Sequence, residues 1–320
     1  MGRCMTLTMP DGAVTIDPHL GILRELRFWD GRKWLDPLQA AAGASGTVDF
    51  NCGPCGGTGQ GGDSPWELRE VVQSGREALA RLSLGHVVQG ASVEKEVSLR
   101  KGEPILYQSH LLPDGQGALT LADHPMVRME RGGRLSFSPK RLALTAGTAS
   151  EAGPNGLECP AQPADRPAFP GRHGPVDLHH CPKDAGREEL VTLLEAEGNP
   201  LGWTAVLRHA EQDIVFVLRD PEALPVTILR RSDGGRILGI GDGCAARAGG
   251  EVGCAAQPCP LALAPRGGQT VRHAIGAVPC PESWTHVTGI SIDQNTLRLE
   301  GDGDAVVCLP FDGRFFERGA

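Results

Sequence analysis

One dipeptide constrains this chain more than any other feature. Asp-Gly occurs at residues 11, 30, 114, 233, 242, 302 and 312, and most of the stretches between are short and apolar. Glycine accepts positive φ without a steric penalty and aspartate tolerates it, so Asp-Gly favours tight reversals that join antiparallel strands. Asp30-Gly31, between Phe28-Trp29 and Lys33-Trp34, reads as a hairpin with a type I′ turn. So many reversal signals between apolar runs predict an all-β chain rich in sheet.

The runs themselves support this. Ala13 to Ile16 and Ile22, Leu26 and Phe28 make an opening pair. Val93, Lys95, Val97 and Leu99 alternate with Glu94, Glu96, Ser98 and Arg100, then Lys101 to Pro104 turns into Ile105, Tyr107, Ser109 and Leu111. That period of two predicts a hairpin with one wet face. Leu135 and Phe137 alternate with polar residues in the same way. Further strands are expected at 190–194, 203–207, 214–218, 226–229, 237–240, 271–275, 287–292, 297–299 and 305–309. One segment reads differently. Ser64-Pro-Trp-Glu67 has the form of a capping box with proline at the first helical position, and Leu68, Val71 and Val72 follow, so a helix is expected from about 65 to 74. Residues 145–187 carry seven prolines and are expected to form a long surface excursion. No internal repeat and no clear linker appears, so residues 1–320 are expected to form one domain.

Charge narrows the function. With 31 basic against 39 acidic residues, the formal net charge is -8, and no run of lysine and arginine is present. Nucleic acid and anionic membranes are therefore not expected partners. The N-terminus lacks the apolar core of a secretory signal, and no stretch approaches the ~18 apolar residues of a membrane span. A cytoplasmic location is expected, with the ten cysteines reduced. Cys52-Gly-Pro-Cys55 has C-x-x-C spacing, and His179-His180-Cys181, Cys254 and Cys259 are potential ligands. The second pair is irregular and a glycine-rich loop follows the first, so neither a metal nor another cofactor is expected.

The candidate for chemistry lies at Leu121 to Ser138. Proline at 125 forces His124 toward an extended conformation, at the mouth of a strand pattern, where an imidazole can exchange a proton near neutral pH. The alternative is a structural histidine at a turn. Trp66 and Trp203 could offer aromatic faces to a ligand, or else be packing residues. Arg128 and Arg100 could bind hydroxyls or a carboxylate, or simply be solvated.

Several landmarks in order resemble the aldose 1-epimerase (galactose mutarotase-like) superfamily. They run from Gly21-Ile-Leu-Arg-Glu-Leu through Asp36-Pro37-Leu38, the hairpin of 93–112 and His124-Pro125. They continue with Gly202-Trp203, Leu224-Pro225-Val226, Leu238-Gly239-Ile240 and Pro265-Arg-Gly-Gly268 to Gly276. The resemblance implies a large antiparallel β-supersandwich with few short helices. It also implies a small-molecule sugar as partner, a monomer or homodimer, and His124 as general acid toward the sugar ring oxygen. The departures fall on the chemistry. Where the family carries its glutamate base this chain has Gly241, with Asp242 one position later, facing the other way along a strand unless a bulge or turn re-aims it. Asp63 is the nearest polar replacement for an upstream substrate-binding histidine. Met126, Val127 and Arg128 replace the usual aromatic and asparagine after the histidine. The expected site is therefore His124 and Asp242 as acid and base, with Asp63, Trp66, Arg128 and Trp203 around the sugar. The expected activity is interconversion of the anomers of an aldose. The alternative is a binding or regulatory protein that kept the groove without the acid/base pair, and a lyase or other polysaccharide-acting enzyme on a related sandwich is a third class.

Overall fold

The structure, a computed structural model, describes residues 4–38, 66–85, 87, 92–113, 118–119, 122–145, 177–181, 189–232, 236–243, 261–262 and 268–317. Among them every regular element is a strand. Strands are numbered in chain order. A nine-stranded antiparallel sheet is the spine, in the order β14 (His180–Cys181), β12 (Gly133–Phe137), β16 (Gly202–Arg208), β17 (Asp213–Arg219), β21 (Gln269–Pro279), β8 (Ile105–Leu112), β7 (Glu94–Arg100), β6 (Glu77–Leu84), β5 (Trp66–Gln73). Its strands come from both halves of the sequence.

Each face of this spine is covered. On one side lie a four-stranded sheet, β1 (Met5–Met9), β2 (Gly12–Asp17), β3 (Ile22–Trp29) and β4 (Trp34–Leu35), and a six-stranded sheet. The latter contains β10 (Ala122–Asp123), β11 (Met126–Arg128), β13 (Lys140–Thr145), β15 (Glu189–Glu195), β18 (Val226–Ser232) and β19 (Ile237–Gly243). On the other side lies the sheet of β22 (Val287–Asp293), β23 (Thr296–Gly301) and β24 (Val306–Pro310). A small pair, β9 (Ala118–Leu119) with β20 (Leu261–Ala262), completes the set. Strand β17 shows why the layers form. Val215 and Val217 enter the core shared with the four- and six-stranded sheets, whereas Ile214, Phe216 and Leu218 enter the core under β22–β24. A strand buried on both faces needs an unbroken apolar run, and this one has it.

Three local expectations are corrected. Residues 66–73 form β5, paired with β6 from Trp66 opposite Leu84 to Gln73 opposite Ala78. Here β-branched Val71 and Val72 gain a sheet edge, and a helical preference over so few residues does not outweigh that pairing. The expected cap, Ser64 and Pro65, lies outside the described residues, as does most of the 145–187 excursion. Asp30-Gly31 opens a four-residue loop in which only Gly31 takes positive φ (94°), and the Asp30 carboxylate accepts from the Arg32 and Lys33 amides. Asp242-Gly243 is no turn either: it continues β19, pairing with Thr227 and Val226 of β18.

Candidate functional site

Polar residues on the apolar phase of the strands form a buried ionic row. Lys95 sits between Val93 and Val97, Gln108 and His110 between Leu106 and Leu112, and His273 between Val271 and Ile275; all four are buried. The sheet register aligns them. His110 stands opposite Lys95 across β7 and β8, and Gln108, His273 and Arg219 form one row across β8, β21 and β17.

The six-stranded sheet answers this row with carboxylates. Asp242 of β19 forms an ion pair with Arg219 Nη1 at 2.9 Å, accepts a hydrogen bond from the Thr227 hydroxyl at 2.9 Å and lies 3.4 Å from His273 Nε2. Arg219 also pairs with Glu195, which Lys140 contacts at 2.5 Å. An isolated charge in such a place would be strongly penalised, so the groups persist by pairing. Burial pushes the Asp242 carboxyl up, but Arg219, His273 and Thr227 together hold it below its ordinary range. Where pairing is weaker, burial wins: the Asp123 carboxyl rises to about 6 and the Lys95 ammonium falls to about 7. His110 is held well below its ordinary value by burial, with Lys95 and His273 adding to the effect.

His124 lies on the other side of the same sheet. An added Cβ at Gly239 would fall 2.7 Å from its Nε2, and one at Gly241 would fall 3.1 Å from its Cδ2. The half-buried imidazole therefore rests across two glycines on one face of β19, whereas Asp242, one position beyond Gly241 and in the other phase, projects from the opposite face. The pairing of β18 with β19 is regular from Val226–Gly243 to Ser232–Ile237, so no bulge re-aims Asp242. Asp123 pairs with Asp242 and shares its inward face. Burial, then the nearby Arg230 charge, lower the His124 imidazole to about 4, with Asp242 opposing; it is neutral at neutral pH. At 239 even a β-carbon would force the ring to shift.

The structure thus separates residues expected together. His124 and Arg128 share a face, two register positions further along, where Arg128 pairs with Glu130 at 2.8 Å. Asp242 does not share it, so the expected acid and base do not face each other across one sugar. Trp66 packs its ring on Gly21 at the β5 edge, and Trp203 is buried in the core under β22–β24. Both serve packing, because their strands carry them away from β19. Asp63 lies outside the described residues, as do Cys52, Cys55, Cys254 and Cys259. His179 Nδ1 bonds the Leu135 carbonyl at 2.9 Å and its ring stacks on Phe137. Arg100 pairs with Asp312 and Glu77. Sequence reasoning passed over Gln108, His110, Arg219 and His273, although each breaks an apolar alternation and that break was the available signal.

Comparison with known proteins defines the class by shape. No family model and no curated protein sequence matches this chain. Solved structures do match. A protein of Escherichia coli K12 named only provisionally as an aldose 1-epimerase superposes with a TM-score of 0.59 at 12% identity, over 86% of this chain and 98% of its own. A galactose mutarotase related enzyme from Lactobacillus acidophilus gives 0.57 at 10%, covering 88% and 99%. A galactose mutarotase-like protein from Lactobacillus casei gives 0.57 at 10%, covering 86% and 100%. The fold is therefore the all-β galactose mutarotase-like supersandwich, shared along nearly the whole of each chain. At these identities it is the fold that is shared, and function must come from the site.

Proposed function

We propose that this protein binds an aldose on the face of β19 that carries His124 and accelerates the exchange of its anomers. One observation carries the reading: a half-buried, neutral imidazole lies across Gly239 and Gly241, on a fold shared with mutarotase-related proteins. Anomer exchange requires a proton to leave the anomeric hydroxyl and another to reach the ring oxygen, so that the ring opens, rotates and closes. Because the reaction proceeds in water unaided, one positioned proton-transfer group contributing roughly 10² to 10⁴-fold suffices for a useful rate. The buried network beneath β19 holds the strand, and through it the glycine floor, in place. The chain acts as a single sugar-directed unit.

A second reading has its own support. Among the described residues of β10, β11, β18 and β19, no carboxylate stands on the His124 face, which suits a protein that binds sugar without turning it over. The test is anomer exchange measured by NMR on neutral, acidic and phosphorylated aldoses, comparing wild type with His124→Ala. Acceleration lost in the variant supports the isomerase. Binding detected by saturation transfer without acceleration supports the non-catalytic reading, and neither binding nor acceleration on any sugar refutes both.

A further inference from the structure

Given that sugar-directed reading, we infer that His124 acts in this chain as the base that accepts the anomeric proton, in the place that a carboxylate on the outward phase of β19 would otherwise take. Three features of the geometry lead there. The imidazole lies over positions 239 and 241: a Cβ added at Gly239 would fall 2.7 Å from Nε2 and 3.1 Å from the Met126 sulfur, and one added at Gly241 would fall 3.1 Å from Cδ2, so a carboxylate stem at 241 would crowd the ring. Next, the two carboxylates among the described residues of β10 and β19, Asp123 and Asp242, face inward, and Asp242 is committed to Arg219, Thr227 and His273. Finally, the charges that bear on His124 favour its neutral form: Arg230 of β18 opposes protonation, and Asp242 acts only through the thickness of β19. Arg128 of β11 is neutralised by Glu130. A neutral imidazole accepts protons; it is poorly suited to donate one as a cation.

The step balances without a cofactor. An imidazole nitrogen of His124 takes the proton of the C1 hydroxyl. The bond from C1 to the ring oxygen breaks, its electron pair going to that oxygen, which takes a proton from a solvent water. The open-chain aldehyde rotates about its C1–C2 bond, and the reverse sequence returns both protons, giving the other anomer.

The decisive experiment is Gly241→Glu, assayed for anomer exchange beside wild type and the control Gly75→Ala, where an added Cβ meets nothing within 4 Å. If His124 is the base, the glutamate crowds the ring and pairs with it without supplying a needed group, exchange falls about tenfold or more, and the control retains its rate. A rise of tenfold or more in Gly241→Glu would show that a donor histidine had been waiting for its partner, and would overturn the inference. The pH profile gives an independent readout that does not depend on a variant folding. Wild-type kcat/KM is expected to climb as His124 deprotonates on leaving acid and to stay level from pH 6 to 8. A decline over that range marks an acid and overturns the inference, leaving the sugar reading intact. No exchange by wild type at any pH sinks the inference and the isomerase reading together, and the binding arm of the NMR assay then shows whether the sugar reading survives.

Discussion

Removing the Asp242 carboxylate tests whether the buried ionic row is structural. In Asp242→Ala, Arg219 loses its 2.9 Å partner, the Thr227 hydroxyl loses its acceptor at 2.9 Å and His273 loses its neighbour at 3.4 Å. All of these groups are fully buried. Breaking a buried pair from one side leaves an uncompensated charge and costs about 3–5 kcal/mol. Glu195 remains on Arg219 and moderates the loss, so the lower half of that range is expected. Thr227→Val removes a single hydrogen bond to the same carboxylate and should cost about 1.5 kcal/mol, near the lower end for a bond to a charged group. Arg298→Ala breaks the exposed pair with Glu300 and should leave the transition where it was. The assay is equilibrium urea unfolding, followed by tryptophan fluorescence at pH 7, with midpoints and slopes compared. The ordering Asp242→Ala, then Thr227→Val, then Arg298→Ala is the content of the argument. An Asp242→Ala protein within about 1 kcal/mol of wild type would refute it, because that carboxylate would then be holding nothing.

Other outcomes follow from the same structure. Trp66→Ala should cost about 3–5 kcal/mol in the same unfolding assay while leaving sugar titrations by NMR unchanged, since the ring packs on Gly21. Gly276→Val should destabilise by about 1–3 kcal/mol or more, read as a lowered thermal midpoint, because the Phe216 ring stands 2.1 Å from where its Cβ would be. Burial lowers the Lys95 and Lys140 ammonium groups to about 7 from an ordinary 10.5. Between those values the unfolded chain binds more protons than the folded one, so stability should rise with pH across that window. Lys95→Met should flatten part of that rise in urea midpoints taken from pH 7 to 10.

Most of the sheet was legible because its residues alternate. Val93 to Leu99 shows by its alternation which residues face a core, the unbroken run Ile214 to Leu218 marks a strand buried on both faces, and the Asp-Gly pairs at 11, 30 and 302 separate strands whereas Asp242-Gly243 lies within one. Residues 66–73 were not legible, because their apolar spacing suits a helix and only pairing with β6 makes them a strand. The site was half legible. His124 before Pro125 stood out, and the one-residue step from Gly241 to Asp242 already warned that Asp242 faces away.

What the sequence determined by itself is most of the longer strands and the phase of each, since side-chain alternation is a property of extended backbone alone. What only the tertiary structure decided is which phases meet. The register of β19 between β10 and β18 sends Asp242 inward to Arg219, and lays His124 across Gly239 and Gly241 on the opposite face. Strand pairing between distant segments fixes that choice, because it selects which groups can satisfy a buried charge, and no local pattern carries that information.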